Sequence, residues 1–79
     1  MDVRAIVGQN VKRLRRGAGL SQEALASAAG FSRAYLSGLE AGRRNPTIMS
    51  LWKLSTVLGV PVEELIRGTG YSSAASRNA

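Results

Sequence analysis

The groups able to do chemistry in this 79-residue chain are mostly cations, and they are unevenly placed. Residues 1–44 carry Arg4, Lys12, Arg13, Arg15, Arg16, Arg33, Arg43 and Arg44 against Asp2, Glu23 and Glu40. Residues 45–79 carry only Lys53, Arg67 and Arg77 against Glu63 and Glu64. Of the net charge of +6, eight cations against three anions thus put +5 in the first stretch, and three against two leave +1 in the second. This balance suits a polyanion, whether DNA, RNA or an anionic membrane, met by the N-terminal half. Catalysis has little to work with. There is no His and no Cys, which removes the commonest zinc ligands, disulfides and the usual base for a seryl nucleophile. The adjacent Glu63 and Glu64 would diverge by about 100° on a helix instead of converging on one substrate. An enzyme is not expected, nor a cofactor or small-molecule substrate.

The elements that must position the cations are short helices. Asp2 can cap a first helix whose apolar residues Val3, Val7, Val11, Leu14 and Ala18 recur at three and four, with Gly17 and Gly19 ending it by tolerating positive φ. Lys12, Arg13 and Arg16 fall outside that stripe and read as a solvated face, whereas Arg15 borders it. Ser21 caps a second helix, Gln22 to Ala29, anchored by Leu25 and otherwise built of small alanines that let a neighbour approach closely. Gly30 supplies a turn, and Phe31 is placed to plug the corner. Ser32 caps a third helix, Arg33 to Ala41, with Leu36 and Leu39 inward and Arg33, Ala34, Ser37, Gly38 and Ala41 on a small, flat outer face. After the basic loop Arg43-Arg44-Asn45-Pro46, Thr47 caps a fourth helix with Ile48, Leu51, Leu54 and Leu58 inward. Pro61 then opens a fifth, with Val62, Leu65 and Ile66 as its apolar side. Residues 1–68 form one domain in this reading, and residues 69–79 a tail of little apolar content.

A helix, a turn built on Gly and a second, capped helix with a small outer face suit insertion into the major groove of DNA. The run LSQEALASAAGFSRAYLSGLEAGRRNPTIMSLWKLSTVLGVPVEEL closely resembles the helix-turn-helix domain of the Xre and Cro/repressor family of phage and bacterial regulators. The resemblance spans residues 8 to 68 and rests on LSQ opening the second helix, Ala26 at the helix crossing, Gly30 in the turn, SRAYLSGLEAG across the third helix, the RRNP loop and LGV before the last helix. It implies an all-α, five-helix lambda-repressor-like bundle whose second and third helices form the helix-turn-helix. The string SRAYLSGLE also resembles the controller proteins of restriction-modification systems.

The resemblance makes Ser32, Arg33, Ala34, Tyr35 and Ser37 the DNA-facing set of the third helix and Gln22 a contact at the start of the second. Chemistry sorts them. Arg33 can donate two bonds to guanine O6 and N7, and Ala34 offers a methyl to a thymine, so Arg33, Ala34, Tyr35 and Ser37 are the expected base readers. Gln22, Ser32, Arg43, Arg44 and Asn45 suit the phosphate backbone, and Lys12 or Arg16 could reach a flanking phosphate. Gly38 departs from the longer polar residue common in the family there, which shifts the burden toward DNA shape. Arg15 and Glu40 both border apolar stripes, and the matching family positions pair, so a structural ion pair is expected between the first and third helices.

The expected function is a sequence-specific, double-stranded DNA-binding transcriptional regulator, a homodimer on a palindromic operator. Trp52, Val60, Val62, Leu65 and Ile66 are the expected dimer interface, because the terminal helix has more apolar surface than it needs; core packing is the other reading of Trp52. A different class, an antitoxin-type protein-binding module, would need an inhibitory segment within residues 69–79. No apolar run approaches the about 20 residues of a membrane span, and charge interrupts the N-terminus too early for a signal peptide, so a cytoplasmic protein without membrane association is expected.

Overall fold

In the computed structural model, residues 2–70 are described, and they form five helices and no strand. These are α1 (Val3–Gly17), α2 (Gln22–Ala29), α3 (Arg33–Glu40), α4 (Ile48–Leu58) and α5 (Val62–Leu65). Of the expected 69–79 tail, residues 71–79 lie outside the described residues.

Four helix starts use the same device. The side chains of Asp2, Ser21, Ser32 and Thr47 each accept a hydrogen bond from a backbone amide in the following turn, at 3.0 Å in every case. Each cap supplies a partner for one of the amides that a helix start leaves without one. Between α2 and α3, Gly30 lies at φ 79°, a left-handed conformation that any Cβ would strain. Its neighbour Phe31 returns its amide to the Ala26 carbonyl at 2.8 Å, which closes the corner. At the end of α1 only Gly19, at φ 74°, takes positive φ. Gly17 is instead the last helical residue, with Ala18 as the cap, because one left-handed residue suffices to stop the helix.

The core comprises Val7 and Val11 from α1, Leu25, Ala26 and Ala29 from α2, Leu36 and Leu39 from α3, Leu54 from α4 and Leu65 from α5. Helix α3 packs on both α1 and α2, and α4 packs on α2, α5 and α1. The α1–α3 approach is close at Gly8, where an added Cβ would sit 2.4 Å from the Leu39 carbonyl oxygen and 2.7 Å from that of Glu40. This crossing centres the buried part of α1 on Val7 and Val11, so Val3 and Ala18 at the ends of the expected stripe are exposed.

One further expectation fails at an element end. Ile48, read as inward, is 78% exposed, because as the first residue of α4 it extends past the helices that cover Leu54. Ile66 follows the last residue of α5 and is exposed, whereas Leu65 is completely buried. The short α5 is fastened from α1: the Asn10 amide donates to the Leu65 carbonyl at 3.0 Å and to the Arg67 carbonyl at 2.7 Å. No helix among the described residues is long and apolar enough to cross a membrane.

Candidate nucleic-acid interface

The helix expected to face DNA is held from behind by a buried polar cluster. Arg15 and Glu40 are 8% and 7% exposed, so each charge needs full compensation. Arg15 Nε donates to Glu40 Oε2 at 2.7 Å and its Nη2 to Oε1 at 3.1 Å, while Nη1 donates to the Leu20 carbonyl at 2.8 Å. The Gln22 amide adds a third donor to Glu40, at 3.0 Å. Among the described residues no buried side-chain polar atom lacks a partner. The fork geometry locks α1, the α1–α2 turn, α2 and α3 into one angle. Gln22, expected at the DNA backbone, is therefore also a member of this structural cluster.

Outside the cluster, Arg33 and Ala34 are exposed and Ser37 is half-buried, all on the face of α3 turned away from the core. Ser32 is exposed, with its oxygen occupied in capping. Beside the start of α3 opens a cleft of about 470 Å³ lined by Lys12, Arg15, Arg16, Ser21, Gln22, Glu23 and Arg33. Arg15 is neutralised by Glu40, which leaves Lys12, Arg16 and Arg33 as three exposed cations there against the one exposed carboxylate of Glu23, next to the N-terminus of α2. A helix N-terminus carries partial positive charge and free amides, so this cleft suits a phosphate. In the sequence Lys12 and Arg16 read as a solvated face, with contact to a flanking phosphate as the other reading. Their grouping with Arg33 arises from the helix angles, and no local spacing signals it.

Tyr35 is half-buried and braced on two sides. Its ring lies 5.0 Å from that of Phe31, tilted by 48°, and its hydroxyl donates to Ser50 Oγ at 3.3 Å, a link to α4. Arg43, Arg44 and Asn45 are exposed in the loop after α3. The Arg44 side chain folds back along α3 instead of extending from the loop. Its stem covers Gly38, leaving that residue buried, and its guanidinium carbon stands 5.8 Å from the centre of the Tyr35 ring.

The residues expected at a dimer interface are divided. Trp52 is 55% exposed, which removes the core reading, and it borders a shallow hollow with Ala28, Gly30 and Val57. Val60 and Val62 are half-buried and Ile66 is exposed. Leu65 is corrected: with none of its surface accessible, it is a core residue and has nothing to offer a partner. Ile48 and Met49 join Trp52 on the exposed side of α4, an apolar set absent from the sequence reading.

Known proteins with this arrangement share a function. The helix-turn-helix family HTH_3 matches residues 11–65. The uncharacterized HTH-type transcriptional regulator y4dJ of Sinorhizobium fredii is 48% identical over 77 residues, covering 98% of this chain and all of that protein. The restriction-modification controller protein C.AhdI of Aeromonas hydrophila superposes with a TM-score of 0.77 at 40% identity, over 78% of this chain and 94% of that one. SinR of Bacillus subtilis, a master regulator for biofilm formation solved in complex with DNA, gives a TM-score of 0.72 at 42% identity, over 75% of this chain and 95% of that one. With its helix-turn-helix matched over most of its length and its fold shared with these regulators, the chain belongs to the Xre-type helix-turn-helix family of DNA-binding transcriptional regulators.

Proposed function

We propose that the protein is a sequence-specific regulator that binds a palindromic operator as a homodimer, with α3 in the major groove of each half-site. The observation that carries the reading is the outer face of α3, where Arg33 is exposed beside Ala34 and borders a cationic cleft at the start of α2. Arg33 then reads a guanine, Ala34 permits close approach or meets a thymine methyl, and Ser37 adds a short hydroxyl. Tyr35 contributes its exposed edge and fixes the corner between α2 and α3. Gln22, Ser32, Arg43 and Asn45, with Lys12 and Arg16, hold phosphates and set register. The apolar set Ile48, Met49 and Trp52, with Ile66 and the exposed parts of Val60 and Val62, supplies the dimer contact. A symmetric pair would set two α3 helices about 34 Å apart, one turn of DNA. Occupancy of a promoter then represses or activates by position.

Selection of bound duplexes from a random pool tests all of these points together. The expected product is a motif with two inverted half-sites spaced by about one helical turn. Arg33→Ala should relax one guanine in each half-site, costing about 1 to 3 kcal/mol of discrimination. A motif without inverted symmetry would refute the dimer, and an unchanged motif with Arg33→Ala would refute its role as a reader.

A further inference from the structure

Helix α3 has a gap in its outer face at Gly38, and a residue from outside the helix fills it. An added Cβ at Gly38 would lie 3.0 Å from Arg44 Cγ and 3.2 Å from Arg44 Nε, so the arginine stem occupies the space where a side chain of α3 would begin. The backbone holds the loop in this position: the Arg43 amide donates to the Gly38 carbonyl at 2.8 Å, which turns the chain back along the helix just before Arg44. Further out, the guanidinium stands over Tyr35, one turn before Gly38 on α3, at 5.8 Å from the ring centre. Tyr35 cannot easily move, being packed on Phe31 and hydrogen-bonded to Ser50. Arg44 makes no ion pair with a carboxylate among the described residues, so no acidic partner competes for its donors.

We propose that Arg44 is a specificity-determining residue of the DNA interface, laid through the Gly38 gap onto the reading face of α3 to recognise a guanine distinct from the one read by Arg33. The inference rests on the reading of the protein as a sequence-specific DNA-binding regulator. A loop arginine that reached a phosphate would need only charge and length. Arg44 has in addition a course along the helix past Gly38 and a planar head over the Tyr35 ring, its guanidinium carbon 5.8 Å from the ring centre. A cation–π contact draws a guanidinium toward the ring while leaving its N–H donors available to another partner. Those donors match guanine O6 and N7 in the major groove as a pair fixed in one plane, whereas an ammonium reaches the same two atoms only from a flexible stem and does not stack on the ring in the same way. Gly38 is the condition for the arrangement, since any larger residue there contests the same volume.

The test compares motifs selected from a random duplex pool by the wild type and by Arg44→Lys, Arg44→Ala and Gly38→Ala, alongside each protein's salt-dependent affinity for random DNA. Arg44→Lys keeps the charge. It should leave the salt slope and the affinity for random DNA unchanged while relaxing one guanine per half-site, a loss of roughly 5- to 150-fold in preference. That guanine should differ from the one relaxed by Arg33→Ala. Gly38→Ala should weaken the same position and add nothing when combined with Arg44→Ala, because both act through one side chain. It places the better helix former in α3, so its melting temperature separates a reading defect from a folding defect. An unaltered motif with Arg44→Ala, or a loss from that change that is uniform over all duplexes, would overturn the proposal and make Arg44 a phosphate contact. A wild-type pool with no enriched motif would instead defeat the reading of specific binding on which the proposal stands.

Discussion

Glu40 illustrates how much of this interface depends on a residue that need not touch DNA. Its two carboxylate oxygens accept three donors, two from Arg15 and one from Gln22, and the carboxylate itself is buried. Replacing a buried ion pair by apolar residues can be neutral, but removing one partner strands the other at a cost of about 3 to 5 kcal/mol. Glu40→Gln presents an amide donor to groups that are themselves donors. Its melting temperature should fall by about 12 °C or more, given about 4 °C per kcal/mol as the lower value for a domain of this size. Arg15→Met combined with Glu40→Leu should lose less than the sum of the two single changes. An unchanged melting temperature for Glu40→Gln would mean that the pair contributes nothing to the angle between α1 and α3.

At the scale of elements, α1 and α3 meet backbone to backbone, and Gly8 is the residue that permits it. A methyl at Gly8 would collide with two carbonyl oxygens of α3 that cannot rotate away. Gly8→Ala should therefore destabilise by about 2 kcal/mol or more, outweighing the roughly 1 kcal/mol that alanine gains over glycine in a helix. Gly17→Ala, at the exposed end of the same helix with nothing near its added methyl, should be neutral or stabilising. Thermal melts of the two variants check the contrast. The same helices show what a sequence discloses. The caps at Asp2, Ser21, Ser32 and Thr47 and the left-handed Gly30 are local chemistry, so the helix starts and the turn were readable to the residue. Periodicity also identifies inward residues in the middle of a helix, such as Val7, Val11 and Leu36. It fails at ends, where Val3 and Ile48 continue a stripe that no neighbour covers. Gly8 carried no signal of its own, since a lone glycine is tolerated inside a helix without a packing reason, and Gly38 read only as a departure from the longer polar residue common in the family. Whether Gly8 admits a helix and Gly38 an arginine depends on where the chain returns in space, which no local pattern encodes.

For the whole molecule, cations distant in the sequence are gathered around the helix-turn-helix: Lys12, Arg16 and Arg33 line the cleft, and Arg44 lies along α3. Binding through such a surface releases counterions, so log affinity should fall with log salt by about 0.9 for each phosphate neutralised. Titrations at several salt concentrations should show a steep slope for any duplex, and the Lys12→Ala and Arg43→Ala variants should each lower it by about one phosphate's share. A slope near zero would refute a charge-driven interface.

The contacts of α1 carry a consequence for how the chain folds. Arg15 meets Glu40 across 25 residues, and Asn10 meets Leu65 across 55, so the first helix has partners spread over most of the sequence. Helices α2, α3 and α4 can associate through short loops, whereas closing a loop of that span costs more chain entropy and returns nothing until its ends meet. On a chain emerging from the ribosome, α1 is made before the other four helices, yet its Asn10 clamp closes only once Leu65 and Arg67 are free to fold back against it.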